Sequence, residues 1–120
     1  MRLYQACEII ELRQRMWSSV ISDEPYELAL MTKQYAEIFM SMASGANNRI
    51  DRKIGGVVSR LTDIANKTMD GEINANQSFF LSCAYVDTFI LKELQPYMQK
   101  MYGETFVPCS IWARVIVGEA

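Results

Sequence analysis

Between residues 78 and 102 the apolar side chains return at steps of three or four: Phe79, Cys83, Val86, Ile90, Leu94, Tyr97 and Met101. That spacing keeps to one side of a 3.6-residue turn, so it predicts a helix with a face on a core. In the first half Phe80, Ala84 and Leu91 widen the face, and Leu81, Tyr85 and Phe89 add a third side. A helix that is apolar nearly all round needs cover from several neighbours, which places this segment at the centre of a helical bundle. The run from Phe79 to Leu91 is interrupted by Ser82, Asp87 and Thr88, and it falls short of the roughly 20 apolar residues that span a bilayer. Beyond Leu91 the side carrying Lys92, Glu93, Gln95, Gln99 and Lys100 is polar, and Pro96 interrupts the pattern. Proline has no backbone donor and crowds the preceding turn at a cost of about 3 kcal/mol, so a kink is expected over residues 93–95.

The rest of the chain carries the same period. Over residues 3–21, Leu3, Ala6, Cys7, Ile10, Trp17 and Ile21 form one stripe with Ile9, Leu12, Met16 and Val20 beside it, and Glu11 can pair with Arg15 one turn on. Ser22 to Pro25 then reads as a stop and a start, with Asp23 or Glu24 at the cap and proline in the first turn. A second helix over 25–43 sets Leu28, Met31, Tyr35, Ile38 and Met42 in a narrow seam, flanked by Ala29, Ala36 and Phe39. Gly45 ends it, and Asn47 or Asn48 caps a third helix over 48–69. Its buried side is Ile50, Ile54, Val57, Leu61, Ile64 and Thr68. Gly55 and Gly56 inside that pattern cost about 2 kcal/mol together relative to alanine, which points either to a closely packed neighbour or to a kink.

Asp70 and Gly71 close the third helix, and Asn74 or Asn76 caps the fourth, over 76–102. In the tail, Pro108 and Gly118 bracket a short helix, whereas Ile111, Ala113, Val115 and Val117 alternate as in a strand. No other segment offers a strand to pair with, so the helix is preferred; a strand over 106–117 implies a partner in a second chain. The fold class that follows is all-α, with four main helices and a short C-terminal one in a single domain over 1–120, neighbours antiparallel across short connections.

Composition narrows the chemistry. A chain of 120 residues, half of them hydrophobic and 22% charged, is an ordinary globular composition. The net charge of −2 disfavours a protein that lives on phosphate contacts. Histidine is absent, which removes the commonest general base, the usual nucleophile triads and most helical-bundle metal sites. Cys7, Cys83 and Cys109 are odd in number and far apart, as reduced thiols in a cytoplasm would be, and the N-terminal stretch is punctuated by Glu8, Glu11 and Arg13 where an export signal would be apolar. Glu8, Glu11, Glu37, Asp87 and Glu93 form no paired motif at ligand spacing, and no phosphate-loop or dinucleotide pattern occurs. No cofactor, metal or catalytic residue is expected. Asp87 must be paired, solvated or protonated within its apolar run, and Tyr85, Thr88 or an arginine of the first helix such as Arg13 is placed to satisfy it.

One organised charge feature remains. Arg49, Arg52, Lys53, Arg60 and Lys67 lie opposite the buried side of the third helix, and residues 49–70 hold five basic against three acidic groups, so that +2 stands against −4 elsewhere. The stripe reads first as a solvated helix face, and second as a surface for phosphates or an acidic partner, although it lacks aromatic stacking positions. Six tyrosines and eight methionines suit a core that doubles as a contact surface. The expectation is a non-enzymatic protein-binding module, a small adaptor, regulator or inhibitor of the kind phages and mobile elements encode against host enzymes. Tyr85, Phe89, Trp112 and Ile116 are its expected contact residues, with homodimerisation through the tail or the Tyr- and Met-rich seam. The alternative is a nucleic-acid-associated protein that uses the basic stripe.

Overall fold

Four helices in the expected order make up the computed structural model, which describes residues 3–43, 45, 48–94 and 96. They are α1 (Leu3–Ile21), α2 (Pro25–Met40), α3 (Arg49–Met69) and α4 (Ala75–Phe89), and α4 runs on into a π-helical turn over Ile90–Leu94. The bundle is all-α, with no strand among the described residues. Residues 97–102 of the fourth segment and the tail over 106–117, including Trp112 and Ile116, lie outside the described residues.

Each boundary has a local cause. At the end of α1 the Glu24 amide donates to the Ser19 carbonyl (2.9 Å) and the Asp23 amide to that of Val20 (3.1 Å). This paired closure requires a left-handed residue, and Asp23 supplies it at φ 53°. The end of α3 repeats the arrangement, with Glu72 donating to Lys67 (2.9 Å), Gly71 to Thr68 (3.3 Å), and Gly71 at φ 77°. Pro25 opens α2 in the first turn, where no donor is needed. Of the two asparagines before α3, Asn48 is the cap: its Oδ1 accepts from the Asp51 amide at 2.9 Å. Before α4 the cap is Asn74, whose Oδ1 accepts from the Gln77 amide (2.8 Å) while Gln77 Oε1 accepts from the Asn74 amide (3.0 Å).

The antiparallel course of α3 and α4 shows in their contacts. Thr68 meets Ser78, Arg60 meets Tyr85, and Lys53 meets Glu93, so positions that fall along α3 climb along α4. The most extensive interface is between α2 and α3, and α2 supplies Leu28, Ala29, Thr32, Tyr35 and Phe39 to the core, all fully buried. The α3 side facing them is the expected one, Ile50, Ile54, Val57, Leu61, Ile64 and Thr68.

Two assignments of face change. In α1 the core side is Ile9, Leu12 and Met16, while Cys7, Trp17 and Ile21 of the first stripe are exposed. Arg13 sits on that core side and is itself buried, so its charge masks the true face in the sequence. The central position belongs to α2 and not to α4. Ser82, Val86, Phe89 and Ile90 of the fourth segment are buried, but Phe80, Leu81 and Leu91 are 60%, 41% and 47% exposed. Of the third apolar side, Leu81 is turned outward and Tyr85 is half-buried, whereas Phe89 joins the core.

Gly55 and Gly56 mark neither a close approach nor a break. The helix runs through both, and a Cβ on either would meet no atom within 4 Å. The change of pitch falls instead at Ile90–Leu94, just ahead of Pro96. Proline withholds the amide that the Lys92 carbonyl would accept in a regular α-helix, and a wider turn is one way for a helix to approach such a residue.

Candidate functional site

Where α3 and α4 run side by side they leave an open groove of about 490 Å³. Val57, Leu81, Ala84 and Phe89 provide its apolar lining, Tyr85 and Thr88 its hydroxyls, Lys53, Arg60, Lys92 and Glu93 its charges, and Gly56 a stretch of bare backbone. The spacing within each helix explains the convergence. Lys53, Gly56, Val57 and Arg60 share one side of α3, and Leu81, Ala84, Tyr85 and Thr88 share one side of α4. The groove therefore joins two sets expected separately, the basic stripe and the Tyr85–Phe89 pair.

The stripe itself divides. Arg49 bonds Glu93 at 3.1 Å and Lys53 approaches the same carboxylate at 3.9 Å. Lys67 pairs with Asp63 one turn back at 3.3 Å. Arg52 is exposed. Arg60 donates to the Tyr85 hydroxyl at 3.2 Å and lies 5.1 Å from the centre of its ring. A neutral phenol leaves the guanidinium charge uncancelled. Lys92 is exposed and has no ion pair among the described residues. The charge on the groove lining is thus three cations against Glu93.

Phe89 contributes only an edge to the groove, because it is 5% exposed and packs edge-on against Phe39, with centroids 5.9 Å apart. It is chiefly a core residue. The seam of α2 is likewise internal: Leu28, Met31 and Tyr35 are buried and Ile38 and Met42 pack against the core. Apolar groups reach solvent on α1 and α2, at Ile21, Tyr26, Leu30 and Met40, and in a further set around α4. Trp17 and Phe79 pack at a tilt with centroids 5.2 Å apart, Phe80 meets Phe79 edge-on at 5.8 Å, and Leu81 and Leu91 add to the exposed groups. The periodicity of α4 could not single these out, since apolar residues occupy every side of it. In the sequence Lys92 looks like any other member of the polar half of the segment, and only the pairing of the helices brings it to the groove.

On the opposite flank α1, α2 and α4 enclose a polar cluster. Arg13 Nη2 meets Asp87 Oδ1 at 2.5 Å, Nη1 reaches Oδ2 at 3.4 Å, and Nε donates to the Tyr35 hydroxyl at 2.7 Å. The Cys83 carbonyl accepts a further, longer bond at 3.5 Å. Burial works against the charge on Arg13, but Tyr35, Cys83 and Asp87 more than offset it and hold the guanidinium protonated. Burial raises the Tyr35 phenol well above its ordinary range despite the neighbouring Arg13. The Cys83 thiol is pushed up to about 11, again mainly by burial, with Asp87 adding and Arg13 opposing. A thiol held protonated in this way is a poor nucleophile.

Among the described residues no three cysteine, aspartate or glutamate side chains converge as metal ligands would, and no helix is long and apolar enough to cross a membrane. Comparison of the chain with protein families, curated proteins and solved structures finds no match.

Proposed function

We propose that this chain is a non-enzymatic binding module, a small regulator, adaptor or inhibitor that grips another protein along the groove between α3 and α4 and the outward side of α4. The observation that supports this reading is the groove itself: apolar Val57, Leu81 and Ala84 line it together with cationic Lys53, Arg60 and Lys92, and exposed Phe80 and Leu91 stand on the same helical segment. A central apolar strip with a polar rim, aromatic groups and arginine is the composition that protein interfaces favour.

Nucleic-acid binding is the second reading, since Tyr85 supplies the aromatic group that the basic stripe alone lacks. The geometry favours it less. Arg60 already lies over the Tyr85 ring, and Arg49, Lys53 and Lys67 each have a carboxylate at hand.

The test is affinity capture of the tagged chain from its native cell, with the bound proteins identified by mass spectrometry. Wild-type chain is expected to retain one dominant protein that both Leu81→Asp and Phe80→Asp release, with the circular dichroism and melting of both variants unchanged. A dominant partner held equally well by both variants overturns the assignment of the surface. Recovery of nucleic acid that Lys53→Glu plus Arg60→Glu abolishes would favour the second reading.

A further inference from the structure

Resting on the groove as a protein-binding site, we infer that its occupant is an acidic amphipathic helix. The antiparallel pairing fixes where the cations stand. Arg60 lies level with Tyr85, whereas Lys53 lies level with Glu93 and next to it in sequence stands Lys92. Seven residues of α3 separate the two levels, about 10 Å at 1.5 Å per residue. Two carboxylates seven residues apart on a partner helix have that same separation and lie on one side of it. Between the two levels the lining is Gly56, Val57, Thr88 and the edge of Phe89, while Ala84 and Leu81 lie beyond the Arg60 level, which suits one apolar anchor between the two carboxylates and another just outside them on the same partner face.

Charge decides the sign of the occupant. Lys53, Arg60 and Lys92 outnumber Glu93, and Glu93 is already engaged by Arg49 and Lys53. A basic helix would place its charges against Arg60 and Lys92 with nothing to offset them, so an acidic one is selected both by attraction and by the exclusion of its opposite. A helix is preferred to an extended segment because no sheet edge exists among the described residues to extend, while two antiparallel helices leave a trough into which a third fits.

The experiment is selection of a phage-displayed library of helical peptides on the full chain, on Arg60→Glu and on Leu81→Asp, all three checked for folding by circular dichroism. The wild-type chain is expected to enrich peptides with Asp or Glu seven positions apart flanking large apolar residues. Arg60→Glu is expected to weaken the selected peptides about tenfold and to enrich Lys or Arg at one of the two positions, a reversal that loss of folding could not produce. Enrichment of apolar peptides without acidic bias, abolished by Leu81→Asp, overturns the acidic partner and leaves the groove as the binding site. Enrichment indifferent to Leu81→Asp, or none at all, overturns both. Sedimentation of the chain alone and titration with single-stranded DNA complete the test. A dimer dissolved by Arg60→Glu would put a second copy in the groove, and tight DNA binding lost in that variant would put a polynucleotide there, and either result overturns the inference.

Discussion

Arg13 of α1 and Asp87 of α4 join across the bundle through two bonds, and the guanidinium makes a third to the Tyr35 hydroxyl of α2. Three helices thus meet at one cation that is 4% exposed, with Asp87 at 16%. Removing one member leaves the other charge without its partner. Asp87→Leu is expected to lower the unfolding free energy by about 3 kcal/mol in urea titration. The triple variant Arg13→Met, Tyr35→Phe, Asp87→Leu removes the charges and the hydroxyl together and is expected to regain most of that loss, because buried ion pairs offset their desolvation only narrowly. Additive losses across the series would show that the three groups act separately.

Phe89 joins the core from α4 through its edge contact with Phe39. Phe89→Ala is expected to cost about 3 to 5 kcal/mol by the same titration, the range for deleting a buried aromatic ring. A cost below about 1 kcal/mol would place the ring outside the core, where surface substitutions fall.

Gly55 spends helix stability without a visible return. It is exposed, its backbone is helical, and a methyl group there meets nothing within 4 Å. Gly55→Ala is therefore expected to raise stability by about 1 kcal/mol, seen as a higher thermal midpoint. An unchanged or lowered midpoint would mean that something approaches this position in the folded state.

The Cys83 thiol gives the chain an alkaline weakness. Its pKa rises from 9.0 to about 11 on folding, mainly through burial. A raised value means that its contribution to stability is complete below pH 9 and is lost as pH climbs toward 11, because the unfolded thiol ionises first. Stability measured from pH 8 to 11 should fall across that interval, and Cys83→Ala should flatten the early part of the fall. Exposed Cys7 should be alkylated at pH 8 well before Cys83, as peptide mass mapping can follow.

The helices were legible because each carries its own period and its own stop. Ile50 to Thr68 announce the buried side of α3 without ambiguity, and Asn48, Pro25 and Asn74 mark where helices begin. The partner of Asp87 was legible as well, since a carboxylate in an apolar run needs a cation and Arg13 was within reach. What the letters hid was which side of a uniformly apolar helix faces inward. Phe80, Leu81 and Leu91 look no different from Val86 and Ile90 until the other helices are in place, so α4 read as a centre when it is a flank. Arg13 hid the face of α1 for the converse reason, a charge lodged where apolar groups were sought. The groove escaped for want of register: Arg60 and Tyr85 are 25 positions apart, and only the antiparallel pairing of α3 with α4 brings them together.

The π-helical turn over Ile90–Leu94 makes the length of the chain at that point as informative as its composition. Each residue of a regular α-helix turns the chain by about 100°, so excising one residue there would swing everything after it to a different side of the axis. Leu94 is buried and Glu93 holds Arg49 and Lys53, and both depend on that one wide coil for their bearing. Substitutions within the turn can be mild, while a one-codon deletion in it would unseat a core side chain and two ion pairs at once.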